Sequence, residues 1–388
     1  MSFLFPADSS DRAQTRDGRN VDEKLGALQG EGAHQDIRRA RIDSAFPLPE
    51  AGRGEKTAPT LQGGATPDYY GQPLLKETVW TWMIPAYFFV GGLAGASSAF
   101  GGAVQLFGGG KLKRLERQLR WVGAAGDMAS AALLIADLGR PARFLNMLRV
   151  FRPTSPMNVG TWILSGSGAC NTVSALLASQ ERGPLKRIGD AASLGAGVLG
   201  VPLAGYTAVL LSNTAVPVWQ HARRSLPLLF TASSVSCAGA LMQLLPGHSP
   251  AERRAVRLFA AAGMLAELAA GVLLEREAHL ASGSGLPAAT DPVAKPLHHG
   301  ASGALWKAAK VLTVGALALT VMPQRRRTTR FTAGALGLAA GLCTRFAIFH
   351  AGKKSARDPQ ASFQAQRAGM GAAELAEAPR SFRLLVLR

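Results

Sequence analysis

Long apolar segments separated by short charged loops fill most of this sequence after about residue 83. Each segment is about 20 residues long, which is the length that an α-helix needs to cross about 30 Å of hydrocarbon. Inside lipid only helices and closed barrels satisfy their backbone hydrogen bonds. The sequence therefore predicts an all-α integral membrane protein with eight transmembrane helices. We place them at Ile84–Phe107, Leu119–Leu138, Met157–Ser179, Ala191–Leu211, Leu226–Leu245, Val256–Leu274, Gly303–Met322 and Phe331–Ala351.

The composition favours a membrane protein over a nucleic-acid-binding protein. Hydrophobic residues make up 47% of the chain and charged residues 18%, with a net charge of +18. The basic residues lie between apolar segments, where they interact with anionic lipid headgroups. Neither RNP-like aromatic residues nor a basic helix face accompanies them. We therefore expect membrane lipid as a partner and no nucleic acid.

Polar regions flank the apolar segments on both sides. Residues 1–66 are rich in Asp, Arg, Gly and Pro, which predicts a disordered or extended N-terminal arm that wraps a partner. Residues 67–352 would form the membrane domain, and residues 353–388 a polar, basic tail. Because the apolar segments are rich in Gly, Ala and Ser, their helices can pack closely. We expect them to form two four-helix bundles.

The distribution of basic residues predicts the orientation in the membrane. An even number of helices places both termini on one side. The loops on the opposite side contain more Lys and Arg, and basic loops tend to stay in the cytoplasm. We therefore expect a multi-pass protein of the bacterial inner membrane. Its termini and the loop between the second and third helices would lie on the non-cytoplasmic side.

That loop, Asp137–Trp162, is unusually basic for a connection between membrane helices. It contains Arg140, Arg143, Arg149 and Arg152, and three prolines prevent one continuous helix. Arg143–Arg149 could form about two helical turns between the breaks, and Asp137 and Arg140 have the i, i+3 spacing that allows pairing. A rigid, charged loop suits a polar headgroup held at the membrane boundary. The alternative is a basic loop that acts only as a topology signal.

Ionisable residues inside the apolar segments are candidates for proton transfer. Each costs about 2.5–3.5 kcal/mol at the bilayer centre on insertion scales. Asp127 lies near the middle of the second helix, and Asp137 lies about 15 Å further along it at about 1.5 Å per residue. The two carboxylates predict a stepwise proton route. Glu267 and Arg345 are further candidates for this route, and the alternative for them is a buried ion pair between helices.

The histidines and cysteines do not have the pattern of a redox centre. A membrane haem b needs two axial histidines on facing helices, and only His350 lies near membrane depth. Cys170, Cys237 and Cys343 lie in apolar segments without a CxxC partner. We expect neither haem nor metal in this chain, so a partner would have to supply the electrons for any redox reaction.

Four stretches of the chain follow a recognisable pattern. The first is Trp80–Gly95, WTWMIPAYFFVGGLAG, and the second is Asp137–Met157, which begins DLGRP and ends PTSPM. The others are Asn213–Arg224 and Arg345–Ala356. Together they resemble the NrfD/PsrC family of polysulfide-reductase-type membrane subunits, over about Tyr69–Gln366.

The resemblance implies a haem-less, quinone-reactive subunit of a modular respiratory oxidoreductase, with menaquinone or ubiquinone as substrate. In this family a ferredoxin-like iron–sulfur subunit docks on the membrane subunit. A molybdopterin enzyme with Mo or W is often the third partner. By position, the resemblance assigns the quinone site to Trp80, Thr81, Trp82, Tyr87, Asp137, Arg140, Asn146, Ser155 and Met157.

Two questions stay open from the sequence. Some relatives have a histidine between the two tryptophans where this chain has Thr81, so the donor to the quinone carbonyl is undetermined. The loop arginines Arg143, Arg149 and Arg152 are candidates for partner docking. If docking were their only role, the chain would be a passive membrane anchor. Besides the quinone-reactive subunit and the passive anchor, the sequence allows a proton-conducting transporter that uses the intramembrane ionisable groups.

Overall fold

A computed structural model describes residues 20–22, 27–29, 75–138, 140, 142–282, 290–322 and 326–365. The side chains at 20–22, 27–29, 143, 281–282 and 363–365 lie outside this description. The chain has two compact units, Met1–Asp68 and Tyr69–Arg388.

In the first unit, two short strands pair with each other. β1 (Asn20–Asp22) and β2 (Ala27–Gln29) are antiparallel, with Val21 opposite Leu28. Residues 1–66 show no apolar periodicity that would predict this pairing. The rest of the arm predicted for residues 1–66 lies outside the described residues, so its disordered or extended character stays a prediction.

The described secondary structure of the second unit is entirely helical, which confirms the all-α prediction for this unit. Eight helices are long and four are short. In chain order they are α1 (Met83–Phe107), α2 (Lys113–Asp137), α3 (Ala142–Arg149), α4 (Pro156–Leu176), α5 (Pro184–Ser212), α6 (Pro217–His221), α7 (Ser225–Leu244), α8 (Pro250–Ser282), α9 (Lys295–His298), α10 (Gly300–Val321), α11 (Arg327–Ala356) and α12 (Pro359–Ala365).

Proline determines where several of these helices begin. Pro156, Pro184, Pro217, Pro250 and Pro359 each occupy the first helical position. Proline suits this position because its φ is already helical and the first amide of a helix has no intrahelical acceptor. The same residue type that breaks the loop after Asp137 therefore also starts the helix that follows it.

Seven of the described helices are long and apolar enough to cross a membrane, namely α1, α2, α5, α7, α8, α10 and α11. Helix α4 has 21 residues but does not meet the same hydropathy criterion. Polar residues such as Ser167, Asn171 and Ser174 lower its hydropathy, and all three are buried inside the protein rather than facing lipid. The eighth crossing stays a prediction, which α4 could fulfil because its polar side is covered.

Several helices extend beyond the apolar segments predicted for them. Helix α8 extends to Pro250 and Ser282 where we expected Val256–Leu274, and α11 extends to Ala356 where we expected Ala351. The prediction followed hydropathy, which ends where charged residues begin. Lys and Arg at a helix end can keep helical backbone while their charged groups reach the headgroup region.

Small residues allow the closest contacts between helices. A Cβ atom built on Gly95 of α1 would lie 2.7 Å from the carbonyl oxygen of Gly200 in α5, so the two backbones touch. Helices α1, α2, α4 and α5 pack in neighbouring pairs, as do α7, α8, α10 and α11. Contacts also join the two sets: α7 packs against α1 and α5, and α11 packs against α1. The division into two four-helix bundles remains our interpretation of this packing.

One such contact fixes an aromatic side chain at the end of α11. A Cβ atom on Gly352 would overlap the indole ring of Trp219, whose Nε1 donates a hydrogen bond to the Ile348 carbonyl at 2.9 Å. We predict that Gly352→Ala destabilises the protein by about 1–3 kcal/mol, because the extra methyl overpacks a buried site. The measurement is the thermal midpoint of the purified protein in detergent. Gly315→Ala is the matched control, since its Cβ would lie 3.7 Å from Leu336, an ordinary contact. Equal losses in both variants would contradict the prediction.

Candidate functional site

The segment ahead of α1 is bonded to the C-terminal end of α2. The Thr81 hydroxyl donates a hydrogen bond to Asp137 Oδ1 at 2.6 Å, and the Thr81 amide donates to the same oxygen at 3.3 Å. The Met83 amide in turn donates to Thr81 Oγ1 at 3.2 Å. Since a threonine hydroxyl has one proton, that proton is directed at Asp137. Thr81 therefore holds the buried Asp137 carboxylate in place.

An aromatic stack lies beside this contact. The rings of Trp80 and Trp219 are stacked with centroids 6.0 Å apart, and Phe88 meets Trp80 edge-on at 6.5 Å. Trp219 is fully buried, whereas Trp82 is half exposed. The two tryptophans that flank Thr81 therefore have different surroundings, because Trp80 stacks on the buried Trp219 whereas Trp82 faces outward. Tyr87, one turn along α1, is buried.

A lysine at the end of α11 also binds the segment ahead of α1. Lys353 Nζ donates to the Trp80 carbonyl at 3.0 Å and lies 3.5 Å from the Glu77 carboxylate. Arg357 also binds Glu77, at 2.7 Å. We had placed Lys353 in the polar tail, but α11 continues through it to Ala356. Lys353 lies in the last turn of α11, where the helix dipole favours a positive charge, and that local feature was available in the sequence.

The loop after Asp137 has the broken helical form that its prolines predicted, with α3 formed by Ala142–Arg149. Sequence reasoning missed the residue that shapes it, Asn158. The Asn158 Nδ2 group donates to the carbonyls of Met147 at 2.6 Å and Val150 at 3.0 Å, and Oδ1 accepts from the Arg152 amide at 2.7 Å. One buried amide side chain therefore closes the loop onto the start of α4.

The other predicted loop residues are mostly at the surface. Ser155 caps α4 by accepting a hydrogen bond from the Asn158 amide at 3.4 Å. The predicted pair of Asp137 with Arg140 does not occur among the contacts between described residues, and Arg140 is exposed. The side chain of Arg143 lies outside the described residues. The remaining exposed residues of the predicted set are Asn146, Arg149, Arg152 and Met157.

Asp127 lies in a buried polar network that joins three helices. Its Oδ2 accepts hydrogen bonds from Ser167 at 2.7 Å and Asn171 at 2.8 Å, both on α4. Asn171 also donates to Ser98 of α1 at 2.8 Å. Asp127 Oδ1 has no hydrogen-bond partner among the described residues. Tyr87 lies close enough to Asp127 for an electrostatic interaction.

Glu267 and Arg345 belong to a second buried group. Thr344 donates to Glu267 Oε1 at 3.0 Å. Arg345 donates to the carbonyls of Phe88 at 3.4 Å and Phe230 at 2.8 Å, and its guanidinium covers the Phe230 ring at 3.9 Å. The described contacts include no salt bridge between Glu267 and Arg345, although the two charges interact, so their ion pair stays a prediction. Arg345 cross-links α11 to α1 and α7 through backbone carbonyls, which sequence reasoning could not anticipate.

Within the described residues, no group of three or more His, Cys, Asp and Glu side chains could hold a metal ion. The expectation of a chain without metal or haem stays a prediction.

The described helices define a multi-pass membrane protein with a polar and aromatic cluster at one end. A comparison with known families identifies it further. The family described as "Polysulphide reductase, NrfD" matches residues 73–355, and the chain belongs to this family. Membership implies the membrane subunit of a polysulphide reductase-type complex. The family's members interact with quinone and partner with iron–sulfur and molybdopterin subunits. A comparison with curated proteins found no match.

Proposed function

We propose that this chain binds quinone or quinol and exchanges electrons with a docked iron–sulfur subunit. The observation that carries the proposal is the Thr81–Asp137 hydrogen bond of 2.6 Å beside the Trp80–Trp219 stack. A quinone has a flat ring that suits aromatic neighbours and two carbonyl oxygens that take up protons on reduction. A buried carboxylate next to an aromatic wall at a membrane boundary matches both properties.

The reaction requires two electrons and two protons for each quinone reduced, or releases them when quinol is oxidised. The electrons pass to or from the iron–sulfur subunit. Asp137 is the group that exchanges a proton at the quinone carbonyl. Thr81 is a positioning residue, because its hydroxyl proton is already directed at Asp137. In this proposal protonated Asp137 is the donor to the quinone carbonyl, in the role that a histidine has in some relatives.

The loop that follows Asp137 is the proposed docking surface for the iron–sulfur subunit. Arg149 and Arg152 are exposed there, and Asn158 fixes the backbone that carries Arg152. Exposed arginines on a fixed backbone favour an acidic partner surface and bidentate contacts with its carboxylates. Docking at this loop would bring the partner's redox centre to the same end of the helices as Asp137. A molybdopterin enzyme would bind the iron–sulfur subunit in turn.

The proposal includes the arrangement of the chain in the membrane. Helix α4 would be the eighth crossing, and the helices would form two four-helix bundles. Eight crossings would place the start of α1, the end of α2, the connection before α7 and the end of α11 on one side of the membrane. Three contacts support this arrangement, because they join those helix ends: Thr81 with Asp137, Trp80 with Trp219, and Lys353 with Trp80. We propose the bacterial inner membrane, with this end on the non-cytoplasmic side.

We propose that the buried polar network around Asp127 holds a proton and belongs to the same proton route as Asp137. It lies about 15 Å from Asp137 along α2 at about 1.5 Å per residue. Hydroxyl and amide groups around Asp127 can hold a proton in several arrangements, and Asp127 Oδ1 is available for a further hydrogen bond. The Glu267 and Arg345 group is separate from this network in the described contacts. We therefore keep Asp127 and Asp137 in the proposed route, and give Arg345 a structural role.

We predict that Thr81→Val lowers quinone turnover of the intact complex about 10-fold to 100-fold. The substitution keeps the shape but removes a hydrogen bond to a charged group, which contributes about 1.5–3 kcal/mol. The measurement is quinone reduction or quinol oxidation in native membranes, together with the yield of co-purified iron–sulfur subunit.

Thr81→Ser is the matched control, because serine retains the hydroxyl and should keep most of the turnover. If Thr81→Val retained full turnover, the bond to Asp137 would have no role in the quinone reaction. If instead the iron–sulfur subunit dissociated while quinone binding was intact, the passive-anchor hypothesis would be favoured.

We predict that Asp127→Asn preserves assembly of the complex but slows quinone turnover or abolishes coupled proton movement. The amide is nearly isosteric and can still bond Ser167 and Asn171, but it cannot exchange a proton at neutral pH. Asp127→Leu should instead reduce the yield of the complex, because Ser167 and Asn171 lose their buried acceptor. An Asn variant with normal turnover and normal proton release would remove Asp127 from the mechanism.

A further inference from the structure

A cationic pocket lies beside the C-terminal end of α11. Its volume is about 310 Å³, and its walls are formed by the α9 segment on one side and by the junction of α11 and α12 on the other. The charged residues in these walls are Lys295, Lys354, Arg357 and Asp358, and three prolines form much of the remainder. The volume is within the range of about 300–1,000 Å³ that is usual for small-molecule pockets.

The charges in the pocket leave a positive excess. Lys295 and Lys354 are exposed, and the hydrogen bond of Lys354 goes to the His299 carbonyl at 3.5 Å rather than to a carboxylate. Arg357 is paired with Glu77 at 2.7 Å. Asp358 is partly engaged, since its Oδ1 accepts the Gln360 amide at 2.9 Å. The helix dipole of α11 adds only about −0.5 charge, which two lysines outweigh.

The adjacent histidine does not add to this charge. Burial lowers the pKa of His298, and the positive charge of Lys310 lowers it further, although Glu275 acts in the opposite direction. Protonation of His298 is therefore disfavoured, and the positive excess of the pocket comes from Lys295 and Lys354, whose two charges exceed the one negative charge of Asp358.

The backbone around the pocket is held firmly. The buried Asp291 carboxylate accepts a hydrogen bond from the Val293 amide at 2.9 Å, and the Asp291 carbonyl accepts from the Lys295 amide at 2.7 Å. Ser302 of α10 donates to the Pro296 carbonyl at 2.6 Å. These bonds and the fixed φ of proline keep the wall that carries Lys295 in one shape. A fixed backbone wall lowers the conformational cost of binding an anion beside it.

The position of the pocket favours a lipid over a soluble anion. The α9 segment packs on α10, and only 28% of the apolar window of α10 is buried inside the protein. Val311 and Val314 of α10 are 70% and 53% exposed, as expected for side chains that face lipid tails. The pocket therefore lies at the end of a lipid-facing helix, which is where phospholipid headgroups are found. Lysines at a membrane surface attract anionic headgroups by their charge.

We propose that Lys295 and Lys354 bind the phosphate of an anionic phospholipid headgroup in this pocket, at the membrane surface beside α10. The site is independent of the proposed quinone reaction and does not use Thr81 or Asp137.

The test measures lipid binding by native mass spectrometry of the full-length chain in its complex, after delipidation in detergent. Phosphatidylglycerol is compared with phosphatidylcholine as the probe. The wild-type protein should retain phosphatidylglycerol in preference to phosphatidylcholine. Lys295→Gln combined with Lys354→Gln should weaken phosphatidylglycerol binding about thirtyfold, at about fivefold for each charge removed near the surface. The combination of Lys295→Arg and Lys354→Arg keeps both charges and should retain binding.

The matched control is Lys111→Gln combined with Lys113→Gln, which removes the same charge from two exposed positions, one just before α2 and one at its first residue. This control should leave binding unchanged. An equal loss in the control would show that net charge, and not the pocket, attracts the lipid. Binding of inorganic phosphate without any preference for phosphatidylglycerol over phosphatidylcholine would identify the site as one for free phosphate, and either result would overturn the proposal.

Discussion

A carboxylate inside a bundle of membrane helices needs donors from other parts of the protein, and this requirement organises much of the described structure. Asp137 at the end of α2 is met by the hydroxyl and amide of Thr81, which draws the segment ahead of α1 onto α2. Asp127, ten residues earlier on the same helix, is met by Ser167 and Asn171, which draws α4 onto α2. The cost of burying an unbonded charge is large enough that these contacts cannot be incidental.

The same contacts produce the arrangement that the proposed chemistry needs. The segment that Thr81 anchors also carries Trp80, whose ring stacks on Trp219 and whose carbonyl accepts from Lys353. Trp219 and Lys353 therefore both contact the short segment whose Thr81 binds the Asp137 carboxylate. Because the Thr81 proton is directed at Asp137, we propose Asp137 for the acid–base role and the surface loop for partner docking. The family match covers residues 73–355, and the assignment of the site to Asp137 is our proposal from the geometry.

The sequence predicted what depends on local pattern and missed what depends on contacts between distant segments. Hydropathy located all eight long helices, and the prolines around Arg143–Arg149 predicted the short helix α3. Helix ends were wrong where charged residues continue the helix, as at Pro250 and Ala356. Nothing local marks Asn158 as the residue that closes the loop, or Arg345 as a donor to backbone carbonyls of two other helices. The Arg345 contacts form only when the helices pack, and the Asn158 contacts depend on the backbone path of the loop, so no helical spacing rule shows either.

The most direct test of this account is to find where quinone binds. An azido-quinone photolabel, applied to the intact complex in membranes and mapped by mass spectrometry, would attach to residues near the bound ring. We predict that the labelled peptides come from residues 75–88 and 137–157, and that an excess of unmodified quinone reduces the labelling. Competed labelling confined to peptides around Glu267 or to the lipid-facing side of α10 would place the quinone elsewhere and contradict the assignment of Asp137 to the site.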